Sequence, residues 1–248
     1  MKKTIRFLLD LLPNIISKSI FSVLFYIKNH KLIDAKNDYN FSDEKLKFVH
    51  LLEGVNYIKS SIPLGVPPVF LEFGCHSGRT FSSIINAAKY LNISNTEFFA
   101  FDSFEGLPET NKNEDGIFET GTFHTTKSNF KKIIKKKTGV KLDDKNIISG
   151  FYSNSLTIDL QKKMPKIGMV HIDVDLYSST IQVLDFIKPL IVKGTLLVFD
   201  DWYCFPPNSG KGEPGAVQDF IKKNPGFRIE EWKSYSTYGK SFFVVRVP

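Results

Sequence analysis

The chain has 248 residues, of which 42% are hydrophobic and 24% charged, and its net charge is +7. This composition excludes an intrinsically disordered chain, and the length predicts one α/β domain with a single large core. The two cysteines, Cys75 and Cys204, provide neither a disulfide framework nor a zinc site, which favours a reducing, cytoplasmic location.

Residues 1–31 form a basic, apolar segment. Asp10, Pro13 and Lys18 interrupt it, so it lacks both the roughly 18 unbroken apolar residues of a membrane span and the continuous apolar region of a signal peptide. Two interpretations stay open: amphipathic helices lying on the anionic inner face of the membrane, or helices packed on the domain or on a second subunit of a homo-oligomer. We predict an N-terminal helical extension over residues 1–40, with a short linker near Asn37, and a globular domain over residues 41–248.

The hydrophobic pattern of the domain predicts alternating helices and strands. Leu46, Val49, Leu52, Val55 and Ile58 recur every three residues and predict a helix over 43–62. Further helices are predicted at 80–90, 128–137, 155–162, 178–191 and 216–222, and strands at 69–73, 97–101, 146–148, 168–172, 195–199, 228–232 and 241–247. This alternation indicates an α/β fold with a doubly wound, mostly parallel seven-stranded sheet, closed by an antiparallel hairpin.

The first strand runs into a glycine-containing loop, and ligands of such sheets bind beyond the carboxyl ends of the strands. Residues 72–80 read EFGCHSGRT and have the form E-x-G-x-x-x-G. The glycines permit a tight turn and a close approach of the backbone to a ligand, whereas the spacing differs from the G-x-G-x-x-G fingerprint of dinucleotide-binding loops. The candidate cofactor-binding residues of this loop are Glu72, Gly74, Cys75, His76, Ser77 and Gly78; the alternative is that the glycines serve packing alone.

Asp102 and Ser103 follow the second strand. A carboxylate at this position can accept both hydroxyl protons of a ribose, which favours an adenosine-type cofactor. The alternative is that Asp102 only caps the turn that follows the strand.

Four further acids follow the fourth and fifth strands: Asp173, Asp175, Asp200 and Asp201. Four carboxylates converging at one sheet edge would repel one another in a half-buried cleft. A hard divalent cation removes this repulsion, and Mg²⁺ keeps coordination positions that a hydroxyl substrate can occupy. The sequence therefore predicts a magnesium site; the alternative is that these acids are helix caps or salt-bridge partners.

With these residues in place, the chain resembles the macrocin O-methyltransferase family. These are metal-dependent, Rossmann-like class I S-adenosylmethionine methyltransferases that act on sugar hydroxyls of macrolides, aminocoumarins and surface glycans. The resemblance covers residues 67–247. Residues 101–108, FDSFEGLP, look like the family's D-S-F-E-G-L-P signature, residues 171–180, HIDVDLYSST, are similar to its I-D-x-D-L-Y-x-S-T, and the doublet Asp200-Asp201 follows in the same order.

The resemblance implies S-adenosylmethionine and Mg²⁺ as cofactors and a hydroxyl of a sugar, glycan or glycosylated metabolite as acceptor. It implies that Asp173, Asp200 and Asp201 hold the metal, that Glu72, Gly74, Ser77, Gly78 and Asp102 surround the cofactor, and that Gly150 and Phe151 border the adenine. Residues 116–124 resemble the family's mobile loop over the cofactor. The chain departs from the family's commoner G-V-x-x-G-G loop by carrying Cys75-His76-Ser77-Gly78-Arg79.

Methyl transfer from a sulfonium is an in-line displacement, so the acceptor oxygen must be aligned and its proton removed. Asp173 is the expected catalytic metal ligand. The general base is left open among Asp175, His124 and His76.

Two functions from other classes compete with a small-molecule methyltransferase. The basic run of residues 131–137 would suit an RNA-modifying enzyme, but its isoleucines indicate an amphipathic helix, and we expect no nucleic-acid partner. A non-catalytic, membrane-associated scaffold would not need the aspartate cluster.

Overall fold

The computed structural model describes residues 35–110, 118–206 and 208–248. Its contacts divide the chain into two compact units, Met1–Lys45 and Leu46–Pro248. The basic segment of residues 1–31 lies outside the described residues. The predicted linker near Asn37 is wrong, because a continuous helix, α1, runs from Ala35 to Ser61. The predicted division between residues 40 and 41 stays a prediction.

Helices and strands alternate along the chain after α1. The helices are α2 (Arg79–Tyr90), α3 (Lys127–Thr138), α4 (Tyr152–Ser155), α5 (Ile158–Lys163), α6 (Tyr177–Ile187) and α7 (Gly212–Lys223). The strands are β1 (Val69–Phe73), β2 (Glu97–Asp102), β3 (Ile147–Ser149), β4 (Ile167–Ile172), β5 (Ile191–Phe199), β6 (Arg228–Tyr235) and β7 (Gly239–Arg246). Short 3-10 turns occupy Ile62–Leu64 and Asp144–Asn146.

Two predicted helices differ from the structure. The helix predicted at 155–162 is two short helices, α4 and α5, because the Thr157 hydroxyl accepts the Leu160 amide hydrogen and starts a new helix there. The helix predicted at 178–191 ends at Ile187, since Pro189 has no amide hydrogen to continue it, and β5 begins at Ile191 rather than at 195.

The strands form one seven-stranded sheet in the order β3-β2-β1-β4-β5-β7-β6. The pairs from β3 to β5 are parallel, and β7 is antiparallel to both β5 and β6. The predicted doubly wound, mostly parallel sheet with a terminal hairpin is therefore confirmed. The strand order reverses between β1 and β4, where ligands of this fold class bind.

Helices cover both faces of the sheet, which explains why every residue of β1 and β4 is buried. On one face Leu71, Phe73 and Ile172 pack against α6 and α7. On the other face Phe70, Phe98 and Met169 pack against α1, α2 and α3.

The buried face of α1 differs from the predicted one. Leu46 and Val49 are 54% and 50% exposed, whereas Leu51, Val55 and Ile58 are buried. A strict three-residue repeat drifts around a helix of 3.6 residues per turn, so its members cannot all face the core. The inward face of α1 consequently includes His50 and Gly54. Within the part of the chain that the structure describes, no helix is both long and apolar enough to cross a membrane.

Candidate active site

The candidate site lies at the carboxyl edge of the four central strands. Their ends are in register: Phe73 pairs with Phe101 and Ile172, and Ile172 pairs with Phe199. The next residues continue the ladder, because Asp173 and Asp200 donate their amide hydrogens to Phe73 and Ile172 at 2.9 Å. The strand register therefore brings the predicted polar residues to one place.

The loop after β1 is built on two glycines with positive φ. Gly74 has φ 83°, and a Cβ there would lie 1.6 Å from the Asp173 carbonyl oxygen. Gly78 has φ 73°, and a Cβ would lie 2.6 Å from Ile134. Both glycines are thus required for packing, which was the alternative interpretation, and Gly74 also fixes this loop directly against the loop after β4.

The other residues of this loop point in different directions. The Cys75 thiol is buried and donates to the Glu72 carbonyl at 3.3 Å. The side chain of Cys75 therefore faces the core, and a ligand in the loop could contact only its backbone. His76 and Ser77 are half-buried. His76 donates its amide hydrogen to Asp102 Oδ2 at 2.6 Å.

Asp102 joins the first two loops. Its Oδ2 accepts from His76, and its Oδ1 accepts the amide hydrogen of Phe104, also at 2.6 Å. Burial raises the pKa of Asp102, and the hydrogen bonds from Phe104 and His76 oppose that rise. The contact with Phe104 is the turn cap of the alternative interpretation, yet each oxygen keeps a lone pair for a further donor. Gly150, at the end of β3, donates to the Asp102 carbonyl at 3.0 Å.

Three predicted metal ligands lie together. Asp173, Asp200 and Asp201 each offer a carboxylate oxygen, and these oxygens lie within 4.8 Å of one another. Burial raises the pKa of Asp173 well above its usual range, and repulsion from Asp200 and Asp201 raises it further. Burial, followed by repulsion from Asp200, raises the pKa of Asp201 to about 6. The carboxylates are held close together at a high electrostatic cost.

Asp175 completes the acidic cluster. It is 8% exposed and has φ 60°, and burial, followed by repulsion from Asp201, raises its pKa well above the usual range. Asp201 Oδ1 also accepts from the Cys204 thiol at 3.3 Å, while no described residue hydrogen-bonds its buried Oδ2. An unpartnered carboxylate oxygen in an all-oxygen cluster fits a hard divalent cation, so the residues present suit Mg²⁺.

Sequence reasoning missed four residues of the site. Glu213, at the start of α7, is fully buried and accepts the Asp201 amide hydrogen at 2.9 Å. His171 lies 3.8 Å from Glu72 and 3.9 Å from Asp200, and burial lowers its pKa to about 4. The other two, Lys47 and Tyr235, contact Asp200. Only His171 stood inside a motif; the others come from distant elements that no local pattern connects to the site.

The remaining predicted residues lie around this centre. Ser103 donates to the Gly106 carbonyl at 2.7 Å, and Phe151 precedes α4. His124 is exposed, on the segment before α3. Part of the predicted mobile loop, residues 116 and 117, lies outside the described residues. Its buried Phe118 packs with Leu176 and Phe205, which lie on the segments that follow β4 and β5.

A family model described as macrocin O-methyltransferase (TylF) matches residues 27–224. A comparison with curated protein sequences found no match.

Solved structures share the fold at low sequence identity. The O-methyltransferase NovP is 17% identical over 79% of this chain and 80% of its own, with a TM-score of 0.62. The calicheamicin methyltransferase CalS11 is 19% identical over 97% of this chain and 90% of its own, with a TM-score of 0.59. The O-methyltransferase from Bacillus cereus, solved with S-adenosylhomocysteine, is 12% identical over 91% of this chain and 97% of its own, with a TM-score of 0.51. The predicted class I methyltransferase fold is confirmed.

Proposed function

The chain belongs to the macrocin O-methyltransferase family and is an S-adenosylmethionine-dependent O-methyltransferase, and on that premise we propose that it uses Mg²⁺ to methylate a hydroxyl of a sugar, glycan or glycosylated metabolite. Because the members of this family are enzymes, the interpretation of the chain as a non-catalytic, membrane-associated scaffold has no support. The acceptor class is supported by CalS11, which is described as a TDP-rhamnose 3'-O-methyltransferase.

The observation that carries the metal proposal is the cluster of Asp173, Asp200 and Asp201. These three residues would hold Mg²⁺, which when bound lowers the pKa of an acceptor hydroxyl and orients its oxygen. Glu213 accepts the amide hydrogen of Asp201 and so holds its backbone in place. Cys204 donates its thiol and its amide hydrogen to the side chain and the carbonyl of Asp201 and holds the same residue from the other side.

The cofactor proposal rests on the loop after β1 and on Asp102. S-adenosylmethionine supplies a methyl group on a sulfonium sulfur. Gly74 and Gly78 give the loop the backbone shape that admits a ligand, Ser77 offers a hydroxyl, and Asp102 offers its remaining lone pairs to a ribose. Gly150 donates its amide hydrogen to the Asp102 carbonyl at the end of β3, and Gly150 and Phe151 would border the adenine.

For the proton of the acceptor hydroxyl we favour Asp175 over the two histidines. Asp175 is buried in the acidic cluster, beside Asp201, whereas His124 is exposed and His76 lies in the loop that Asp102 holds. A carboxylate beside the hydroxyl-activating centre is within reach of the proton that must leave.

Methyl transfer by the purified chain tests the proposal. The enzyme is incubated with S-adenosylmethionine and a panel of nucleotide sugars and glycosylated metabolites, and S-adenosylhomocysteine is measured. We expect turnover with Mg²⁺, loss of turnover with EDTA and recovery when Mg²⁺ is returned. Equal rates with EDTA and with Mg²⁺ would exclude the metal mechanism.

Untargeted mass spectrometry of a deletion strain would identify the acceptor. We expect a surface glycan or glycosylated metabolite to lose the mass of one CH₂ group. If the only methylation lost is on RNA, the acceptor proposal is wrong and the RNA-modifying alternative replaces it.

A further inference from the structure

Helix α1 carries a lysine to the metal site. The Lys47 ammonium lies 2.6 Å from Asp200 Oδ2, and the two side chains are 28% and 8% exposed. Leu51, one turn further along α1, is buried in the core together with Val55 and Ile58, so the helix face that bears Lys47 is fixed against the sheet. The position of the ammonium is therefore set by core packing rather than by the ion pair alone.

Asp200 is also held from its other side. The Tyr235 hydroxyl lies 3.0 Å from the Phe199 carbonyl oxygen and 3.2 Å from Asp200 Oδ1, and the His50 ring stacks on the Tyr235 ring at 4.1 Å. Removing Lys47 would thus leave Asp200 in place, because Tyr235 and the strand end still hold it.

The charge of Lys47 reaches the whole acidic cluster. Besides its direct contact with Asp200, it opposes the rise in pKa that burial and repulsion cause in Glu72, Asp173, Asp175 and Asp201. Lys47 thus performs part of the charge neutralisation that a divalent cation would provide.

We propose that Lys47 is an internal competitor of the metal: its ammonium neutralises Asp200 while the metal is absent, and so lowers the affinity of the site for a divalent cation. This inference rests on the proposed function, since it concerns the metal that the aspartates would hold. A cation entering the cluster must share Asp200 with the ammonium or displace it. Both cost binding free energy.

Binding of Mn²⁺ alone, followed by electron paramagnetic resonance on the full chain, tests the inference. Lys47→Met keeps the apolar stem and removes the charge, Lys47→Arg keeps the charge, and Lys59→Met removes an exposed lysine from the same helix. We expect Lys47→Met to bind Mn²⁺ about tenfold more tightly than the wild type, as a nearby unit charge in a partly screened site predicts. We expect the two controls to bind as the wild type does.

Thermal unfolding in EDTA and in Mn²⁺ gives the second readout. Lys47→Met should have a lower Tm than the wild type in EDTA and a larger rise in Tm with Mn²⁺; Lys47→Gln replaces it if the Met variant fails to fold. Unchanged or weaker Mn²⁺ binding by the folded variant that lacks the charge, Lys47→Met or its replacement Lys47→Gln, beside a binding wild type, would overturn the inference and leave the metal proposal intact. Absence of Mn²⁺ binding in every protein, the wild type included, would overturn both.

Discussion

Asp201 is a half-buried acid whose protonation would oppose binding of the proposed metal. Its pKa rises from the ordinary value of 3.8 to about 6. The charged form is therefore disfavoured in the folded, metal-free protein. The resulting loss of stability is absent below pH about 4, grows as the pH rises toward 6, and is complete above that value.

The variant Asp201→Asn should distinguish the destabilisation caused by the charge of Asp201 from the contribution of Asp201 to metal binding. In EDTA we expect the variant to gain stability relative to the wild type as the pH rises from 4 to 7, since the amide never ionises. With Mg²⁺ at pH 8 the order should reverse, and methyl transfer should fall by an order of magnitude or more, because a ligand is lost. Thermal unfolding across this pH range, with and without Mg²⁺, is the measurement.

Asp144→Asn is the matched control. The Lys131 ammonium holds the pKa of this exposed carboxyl below its usual range. The contribution of Asp144 to stability therefore increases as the pH rises, whereas that of Asp201 decreases. If the stability of Asp201→Asn relative to the wild type changes with pH in the same direction as that of Asp144→Asn, the destabilisation attributed to ionised Asp201 is contradicted.

Asp102→Ala should weaken S-adenosylmethionine binding by about 1–3 kcal/mol, the loss expected when a charged hydrogen-bond acceptor disappears. It also leaves the amide hydrogens of His76 and Phe104 without their acceptor, so the free energy of unfolding should fall as well. Calorimetry with the cofactor and with Mn²⁺ should show the first affinity lowered and the second unchanged. Glu105→Gln, an exposed acid of the same turn, is the control. An unaltered cofactor affinity would remove Asp102 from the site.

The predicted residues that the structure places at the sheet edge share one property: Asp102 ends a parallel strand, and Asp173 and Asp200 each directly follow one. Asp102, Asp173 and Asp200 were predictable in this way because strand register alone brings them together. Glu213 and Lys47 belong to helices whose approach to the edge depends on tertiary packing. The inward direction of the Cys75 side chain likewise depends on the turn after β1, which the loop pattern did not specify.

At the level of elements, the loop after β1 and the loop after β4 behave as one unit. Gly74 brings the two backbones so close that no side chain fits between them. A change in the loop after β1 should therefore disturb the proposed metal site.

Gly74→Ala tests this coupling against Gly65→Ala. Both glycines have positive φ, but a Cβ at Gly65 would meet nothing within 4 Å. Gly65→Ala should lose only the backbone term, about 1 kcal/mol, whereas Gly74→Ala should lose more and also weaken both cofactor and Mn²⁺ binding. Urea unfolding and calorimetry of the two variants provide the comparison. Equal losses in both variants, with intact Mn²⁺ binding, would show that the loops are independent.

Among the elements, strands were predicted more closely than helix faces. Buried parallel strands are short, continuous apolar runs such as residues 69–73, and their ends are marked by polar residues. The face of α1 was misjudged because Leu46 and Val49 match a three-residue repeat but rotate away from the core. Exposed apolar residues are common on protein surfaces, so the sequence alone could not separate them from the buried ones.

At the scale of the whole molecule, the basic segment of residues 1–31 bears on where in the cell the protein works. Six basic residues oppose a single acid there, and they are Lys2, Lys3, Arg6, Lys18, Lys28 and Lys31. We propose that this segment holds a cytoplasmic enzyme beside an anionic membrane surface, where each Lys or Arg contributes about 1 kcal/mol.

Deletion of residues 1–31 should release the protein from anionic vesicles and leave methyl transfer to a soluble acceptor nearly unchanged. Co-sedimentation with vesicles at low and high salt measures the first effect, and S-adenosylhomocysteine formation measures the second. The packing alternative predicts the reverse: a truncated chain that loses stability or its oligomeric state on size-exclusion chromatography, with no vesicle binding by either form.

The position of β7 in the sheet has a consequence for synthesis on the ribosome. Residues 239–246 lie between β5 and β6, although they are made after both. Until they emerge from the exit tunnel, β5 has an unpaired edge and β6 has no strand beside it. An unpaired edge can pair with other polypeptides, so we expect the chain to be most prone to aggregation before β7 is complete.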